Sequence, residues 1–161
     1  MKVEYDDTKL RRFYAELPMV QRANAVRAAE RRLTNQAKCI AMQKFIATGV
    51  ENADKIAKGI RGIAFKKKLG FCVTGGRKSG ANGFYTNRYG KTKPVLRWFE
   101  DGTAERNSRI HRGRGSGFKG SIAPVKFMAK TKEEMTPKVT EAFHEALRQS
   151  VMRIAKKNGA K

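Results

Sequence analysis

A helical repeat of apolar residues early in the chain limits most strongly what it can fold into. Between residue 19 and about residue 48, apolar side chains recur at steps near three and four, while Arg and Lys occupy the opposite face. The apolar positions are Val26, Ala29, Leu33, Ala37, Ile40 and Ala47. This spacing predicts one long amphipathic helix, which ends at Gly49. The small alanines on its apolar side permit close approach of a sheet or of another helix.

A second one-sided pattern lies near the carboxyl end. Residues 131–157 predict a long helix, with Thr131 as its cap and Pro137 in or near its first turn. Its apolar stripe consists of Val139, Phe143, Ala146, Leu147, Val151 and Ile154. Acidic residues near its beginning and basic residues near its end suit the helix dipole.

The region between these helices has the pattern of β structure. Two apolar segments, separated by the lysines at 66–68, predict strands; their apolar residues are Ile60, Ile63 and Phe65, then Leu69, Phe71 and Val73. Residues 75–93 predict an extended hairpin or a long loop, which is either functional or ordered only within an assembly. Over residues 94–101 the apolar spacing favours a short helix, and a strand is the alternative.

Together these patterns predict a single domain of the α+β class, because 161 residues suit one domain. In it, two long amphipathic helices pack on a small, mainly antiparallel β-sheet, with long basic loops. The predicted segments of domain 1–161 are an N-terminal arm or short helix at 1–18, the long helix at 19–48, the β region and short helix at 60–103, a basic loop at 104–121 and the C-terminal helix at 131–157.

The composition agrees with a folded, soluble protein. Apolar residues make up 40% of the chain, and a domain of this size removes roughly two thirds of its unfolded surface from water. Cys39 and Cys72 lie far apart without a CxxC pattern, which argues against a zinc site or a disulfide framework. No apolar run approaches the length of a membrane span, so we expect a protein of the reducing cytoplasm that does not enter a membrane.

The charge is strongly positive and unevenly distributed. The chain has 36 Lys and Arg against 14 Asp and Glu, a net charge of +22, and no acidic residue lies between Asp54 and Glu100. Solubility alone needs a charge of roughly 2 to 8 in a small domain, so the sequence predicts contacts with polyanions or with acidic protein surfaces. The basic contact residues predicted in the loops are Arg77, Lys78, Arg88, Arg106, Arg109, Arg112, Arg114 and Lys119.

Catalytic patterns are weak, and we expect no enzymatic activity, no cofactor and no metal. Glu100 and Asp101 are adjacent, so their side chains diverge and do not form a carboxylate pair. His111 and His144 have no nucleophile pattern nearby, and the glycine-rich stretch at 113–120 does not match a phosphate-binding loop. A metal-dependent nuclease that uses Glu100 or Asp101 is the enzymatic alternative.

Aromatic residues lie among the basic ones, as in proteins that bind single-stranded nucleic acid. Phe84, Tyr85 and Tyr89 fit either a nucleic-acid contact or a structural role, whereas Trp98 and Phe99 are expected in the core or at a subunit interface. No signature of a dedicated RNA-binding module is present. A basic nucleic-acid-binding protein is therefore the alternative function.

Two short motifs resemble a known family. The first is Trp98-Phe99-Glu100-Asp101-Gly102-Thr103, and the second is Ala123-Pro124-Val125-Lys126-Phe127-Met128, which follows a loop and precedes a long helix. They are similar to motifs of the tail-completion, or head-tail joining, proteins of long-tailed double-stranded DNA bacteriophages, over roughly residues 19–155. Glu100, Gly102 and Thr103 match the family's turn, and Pro124 and Phe127 match its return. Asp101 stands where an aromatic or apolar residue is common, and the loop between the motifs is long and basic.

The same motif residues have plain structural uses. Gly102 can take a positive φ at a helix end, and Thr103 can bond to free backbone groups. Phe127 is expected to fill the core where the last helix starts.

The resemblance implies a structural protein of the virion neck or tail end, present in the host cytoplasm during assembly. It implies a homo-oligomeric ring, of six copies, between the connector or adaptor of the capsid and the tail tube or tail terminator proteins. Rings of this kind form by head-to-tail contacts that close by rotation. Packaged DNA is a further possible partner for the positive charge.

Overall fold

The fold is taken from a computed structural model, which describes residues 8–75, 84–86, 89–90, 92–105 and 120–157. It contains the helices α1 Thr8–Glu16, α2 Met19–Ile46, α3 Ala53–Ala57, α4 Val95–Asp101, α5 Phe127–Met135 and α6 Val139–Lys157, and the strands β1 Arg61–Ala64, β2 Phe71–Thr74, β3 Phe84–Thr86 and β4 Thr92–Pro94. Strands β1 and β2 form one antiparallel pair, and β3 and β4 form another. The predicted α+β class with long helices is confirmed.

Helix α2 is the central element of the fold, since five other elements pack on it, and it agrees with the helix predicted at 19–48. One of its faces contacts β1 and β2, and it also contacts α5 and α6. Its buried residues recur mostly at steps of four, and they are Ala25, Ala29, Glu30, Leu33, Thr34, Ala37, Ala41 and Phe45. The alanines permit the expected close approach, and Gly62 of β1 lies so near that a Cβ there would collide with the Thr34 side chain. Helix α6 packs mainly along α2 rather than on the strands.

The centre of the core is aromatic. The buried Phe45 ring of α2 meets the Phe99 ring at 5.4 Å and the Phe127 ring at 5.1 Å between centroids, both edge to face. Ile60 and Leu96 are fully buried in the same cluster. Residues from four separate parts of the sequence thus meet at the carboxyl end of α2.

The single helix predicted at 131–157 is wrong, because the structure has two. Helix α5 begins at Phe127 and ends at Met135, and α6 begins at Val139. Pro137 separates them, since proline has no N–H to donate and its ring clashes with the carbonyl group four residues earlier. Thr131 is not a cap either: it lies buried inside α5 and its hydroxyl donates to the Phe127 carbonyl oxygen at 2.8 Å.

Most of the remaining segments agree with the predictions where they are described. Leu69 is an exception: it is predicted in the second strand, but it is exposed in the loop before β2 begins at Phe71. Residues 95–101 are helical, so the helix interpretation of this region is confirmed, and Pro94 is the last residue of β4. The N-terminal short helix is α1. Of the predicted basic loop at 104–121, residues 106–119 lie outside the described part of the chain. No helix within the described ranges has the length and apolar character that a membrane crossing requires.

Candidate functional site

The residues of the two motifs come together in one place, which we call the α4–α5 junction: residues 99–103 and 122–129. Helix α4 ends at Asp101, and Gly102 follows with a φ of +75°. A Cβ on Gly102 would lie 3.0 Å from both the Ile122 carbonyl oxygen and Pro124 Cδ. Glycine is therefore required twice here, by the backbone conformation and by the closeness of the returning chain.

Backbone hydrogen bonds join the two parts of the junction. The Thr103 N–H donates to the Ile122 carbonyl oxygen at 2.9 Å, and the Ile122 N–H donates to Thr103 Oγ1 at 2.9 Å. The Val125 N–H donates to the Phe99 carbonyl oxygen at 2.7 Å. These bonds hold residues 103 and 122 together, and so fix both ends of the basic segment at 104–121.

Glu100 serves as a cap for a helix that is distant in sequence. Its carboxylate accepts hydrogen bonds from the Met128 N–H at 2.8 Å and from the Ala129 N–H at 3.1 Å, in the first turn of α5. The residue before α5, Lys126, makes no capping bond through its own side chain. A carboxylate at this end satisfies free N–H groups and complements the positive end of the helix dipole. Glu100 thus has a structural use.

Asp101 points elsewhere and does not join Glu100. Its Oδ2 accepts a bond from Arg97 Nε at 3.2 Å on an exposed face of α4. The divergence expected of adjacent carboxylates is therefore observed. Among the residues that the structure describes, no group of three or more His, Cys, Asp or Glu side chains could hold a metal ion.

Apolar grooves border the junction. One of about 530 Å³ lies between α2, β2, α5 and the start of α6, with Phe71, Met128, Met135 and Val139 in its lining. A second, of about 360 Å³, shares with it Val73, Glu100 and Met128. The lining of the first groove is mainly apolar, whereas that of the second also includes the charged residues Arg97 and Asp101.

The aromatic residues singled out in the sequence occupy different environments. Phe99 packs on the core beside Phe45, as expected, and Phe127 is fully buried where α5 begins. Trp98 is half-buried. Tyr89 is exposed, and Phe84 and Tyr85 belong to β3.

The predicted basic contact residues lie outside the described part of the chain; they are Arg77, Lys78, Arg88, Arg106, Arg109, Arg112, Arg114 and Lys119. His111 lies outside it too, whereas His144 is exposed on α6 beside Phe143.

The sequence analysis did not predict that a second carboxylate, that of Glu30, accepts a backbone N–H. Glu30, in the middle of α2, is buried, and its Oε1 accepts the Gly70 N–H at 2.8 Å. The Phe65 N–H donates to the Gly70 carbonyl oxygen at 2.9 Å, which closes the loop between β1 and β2. A signal was present, because Glu30 lies next to Ala29 and three residues before Leu33, at the edge of the apolar stripe.

An ion pair joins α2 to α5. Lys44 Nζ lies 2.8 Å from Glu134 Oε2. The hydrogen bond and the positive charge of Lys44 lower the pKa of the Glu134 carboxyl below its ordinary value of 4.5.

Comparisons of the chain with protein-family models, with curated proteins and with solved structures found no significant match. The likeness to head-tail joining proteins therefore stays a prediction from the two motifs.

Proposed function

We propose that this chain is a structural component of a long-tailed bacteriophage virion that completes the tail or joins it to the head. In this proposal it forms a homo-oligomeric ring, of six copies, between the capsid connector and the tail tube. One observation carries the proposal. The turn residues Glu100, Gly102 and Thr103 meet the return residues Pro124 and Phe127 in a single junction that closes the ends of a basic segment.

The junction suits a protein that presents loops to neighbouring subunits. Its hydrogen bonds and its contacts with Phe45 anchor both ends of the segment at 104–121 to the core. Binding loops work best when a rigid scaffold positions them. The apolar grooves beside the junction add surface that a neighbouring subunit can cover.

The proposal assigns no enzymatic activity to the chain. Glu100, the carboxylate on which a nuclease would depend, is engaged by two backbone N–H groups of α5. A nuclease of the two-metal type needs carboxylates that converge on its metal ions, and Asp101 instead binds Arg97.

Disruption of the gene in the genome that encodes this chain tests the proposed function. We expect cells to accumulate DNA-filled capsids and free tails that do not join, visible by electron microscopy of the lysate. Complementation with the wild-type gene restores complete virions, and complementation with Gly102→Ala restores fewer. Complete, infectious particles in the absence of the protein would contradict the proposal.

The alternative, a basic nucleic-acid-binding protein, rests on the absence of acidic residues between Asp54 and Glu100. Phosphate contacts predict a steep loss of affinity with salt, which both functions share to some degree. Tight binding that selects one nucleic-acid structure at physiological salt would favour the alternative. Weak binding without such selection would favour the virion role.

A further inference from the structure

Hydrogen bonds at the two ends of the loop between β1 and β2 hold it in place. Glu30 accepts the Gly70 N–H, and Phe65 and Gly70 bond to each other across the base of the loop. Gly70 has a φ of +128°, a conformation that favours glycine. The four residues between these anchors, 66–69, are all exposed. The loop therefore presents three lysines and a leucine to solvent from a fixed base.

These exposed residues border a groove of about 360 Å³, which we call the lysine groove. It runs between the loop and the first turns of α2; its lining residues include Met19, Val26, Arg27, Lys66, Lys67, Lys68 and Leu69. Two of its aliphatic side chains are far from buried: Met19 is 85% exposed and Leu69 is 72% exposed. Exposed aliphatic side chains beside a groove mark a surface that gains free energy when a partner covers it.

Within the part of the chain that the structure describes, the cations of the lysine groove have no acidic side chain as an ion-pair partner. The ion pairs that join described residues are Lys44 with Glu134, Arg97 with Asp101 and Arg148 with Glu145, and none involves the groove. Among the described residues of its lining, the acidic one is Glu30, which accepts the Gly70 N–H. Arg22, also in the lining, donates instead to the carbonyl oxygens of Ala15 and Leu17.

The chemistry of the groove favours a polypeptide over a nucleic acid. Single-stranded nucleic acids bind by stacking bases on aromatic rings. Here Lys68 Nζ already lies 5.0 Å from the centre of the Phe65 ring. Tyr14, the other ring in the lining, is half-buried against the cluster of Leu17, Ala25 and Val151. Phosphates could pair with the lysines but would gain nothing from Met19 and Leu69.

We propose that the lysine groove is a docking site for an acidic, amphipathic segment of another polypeptide. Its carboxylates pair with Arg27 and residues 66–68, and one of its aliphatic side chains lies between Met19 and Leu69. This inference uses different residues from the α4–α5 junction and holds whether or not the chain joins heads to tails.

Fluorescence anisotropy with defined peptides tests the docking site on the full-length protein. The probe is a labelled 14-residue peptide of Glu and Asp with Leu at every fourth position. The matched probe has Ser in place of each Leu, with the same charge.

The variants are the triple change Lys66→Ser, Lys67→Ser, Lys68→Ser and the single change Leu69→Ser. A control of equal charge change carries Lys55→Ser, Lys58→Ser and Lys130→Ser, three exposed positions outside the groove.

We expect the triple variant at 66–68 to bind the Leu peptide about tenfold more weakly than wild type, because several ion pairs are lost together. The affinity of the control variant for the Leu peptide should stay within about twofold of the wild-type affinity. Leu69→Ser should weaken binding of the Leu peptide and leave the Ser peptide unaffected. Unchanged circular dichroism of each variant shows that the fold is retained.

Three results would overturn the inference. The control variant could lose as much affinity as the triple variant, which would mean that only overall charge matters. The Leu and Ser peptides could bind equally, which would remove the aliphatic contact. A labelled oligothymidine of similar charge could bind more tightly than the Leu peptide in a manner that depends on 66–68, which would make nucleic acid the occupant.

Discussion

The α4–α5 junction and the lysine groove are each held by a glutamate, but the side chains of one face the core and those of the other face solvent. In each, a glutamate accepts backbone N–H bonds from a distant part of the chain: Glu100 from Met128 and Ala129, and Glu30 from Gly70. At the junction the neighbouring side chains Phe99 and Phe127 point into the core. At the groove the neighbouring lysines and Leu69 point into solvent.

A very basic chain can fold when its carboxylates hold the backbone and its cations stay at the surface. Its few carboxylates serve at places where the backbone must be held, as at Glu30 and Glu100, while many of its cations stay on the surface. A buried carboxylate that accepts backbone N–H bonds offsets its own desolvation. Under both proposals above, the surface cations are then left for contacts with partners.

Removal of an aromatic side chain from the junction should have the largest effect on stability. Phe127→Ala deletes a fully buried side chain that packs on Phe45, so we expect the free energy of unfolding to fall by about 3–5 kcal/mol. Denaturation by urea, followed by circular dichroism, measures this loss. Leu69→Ala in the groove should change stability by no more than about 0.5 kcal/mol. Equal losses for the two variants would remove the contrast between the regions.

A methyl group on Gly102 should have the next largest effect. Gly102→Ala combines an unfavourable φ of +75° with contacts of 3.0 Å to Ile122 and Pro124, and we expect a loss of at least about 1 kcal/mol. Gly49→Ala is the matched control, because Gly49 has a φ of +69° but open space around its Cβ position. The difference between the free energies of unfolding of the two variants measures the cost of the close approach alone. If Gly49→Ala cost as much, the contact with the returning chain would be unimportant.

Neutralisation of the helix cap should have a smaller effect. Glu100→Gln removes the charge that complements the α5 dipole and weakens two hydrogen bonds, so we expect a loss of about 1 kcal/mol. Asp101→Asn, which disturbs an exposed pair with Arg97, should cost about 0.3–0.5 kcal/mol. A larger effect at Asp101 in thermal or chemical unfolding would show that Glu100 does not cap α5.

The smallest effect should depend on pH. The folded-state pKa of Glu134 is below 4.5 because of Lys44, so the ionised carboxylate favours the folded state. This contribution is fully present above about pH 4.5, the ordinary and therefore unfolded-state value, and is lost as the pH falls through the lower folded-state pKa.

The melting temperature of Glu134→Gln should therefore lie below that of wild type at pH 7 and approach it in acid. Glu133→Gln, an exposed neighbour without this pair, is the control. A difference between wild type and Glu134→Gln that stays constant down to pH 2 would contradict the role of the pair.

Local patterns in the sequence were enough to predict much of the fold. The stripe from Val26 to Ile40 predicted α2, and the run Val95-Leu96 with Phe99 predicted α4, because both signals come from neighbouring residues. The apolar stripe after Pro137 favours one continuous helix, but the backbone restriction imposed by Pro137 outweighs the stripe and separates α5 from α6. The fold class followed from these elements.

The site could be predicted only in part. Gly102 has the positive φ expected of it, since turn chemistry is local. Thr103 Oγ1 does accept a backbone N–H, but the donor is Ile122, 19 residues away. The position of Glu30 gave a signal, but the partners of Glu100 and Glu30 could not be foreseen, because they lie 28 and 40 residues away in sequence. Only the packing of the tertiary structure brings such backbone N–H groups to a carboxylate.

Amide hydrogen exchange, followed residue by residue by NMR, tests most directly whether the α4–α5 junction is closed while the loop of the lysine groove is open. The donors at the junction are the N–H groups of Thr103, Ile122, Val125, Met128 and Ala129. We predict that they exchange at least about 100-fold more slowly than the amides of Lys66, Lys67 and Lys68, after correction for intrinsic rates. Junction amides that exchange as fast as those of the three lysines would contradict the account.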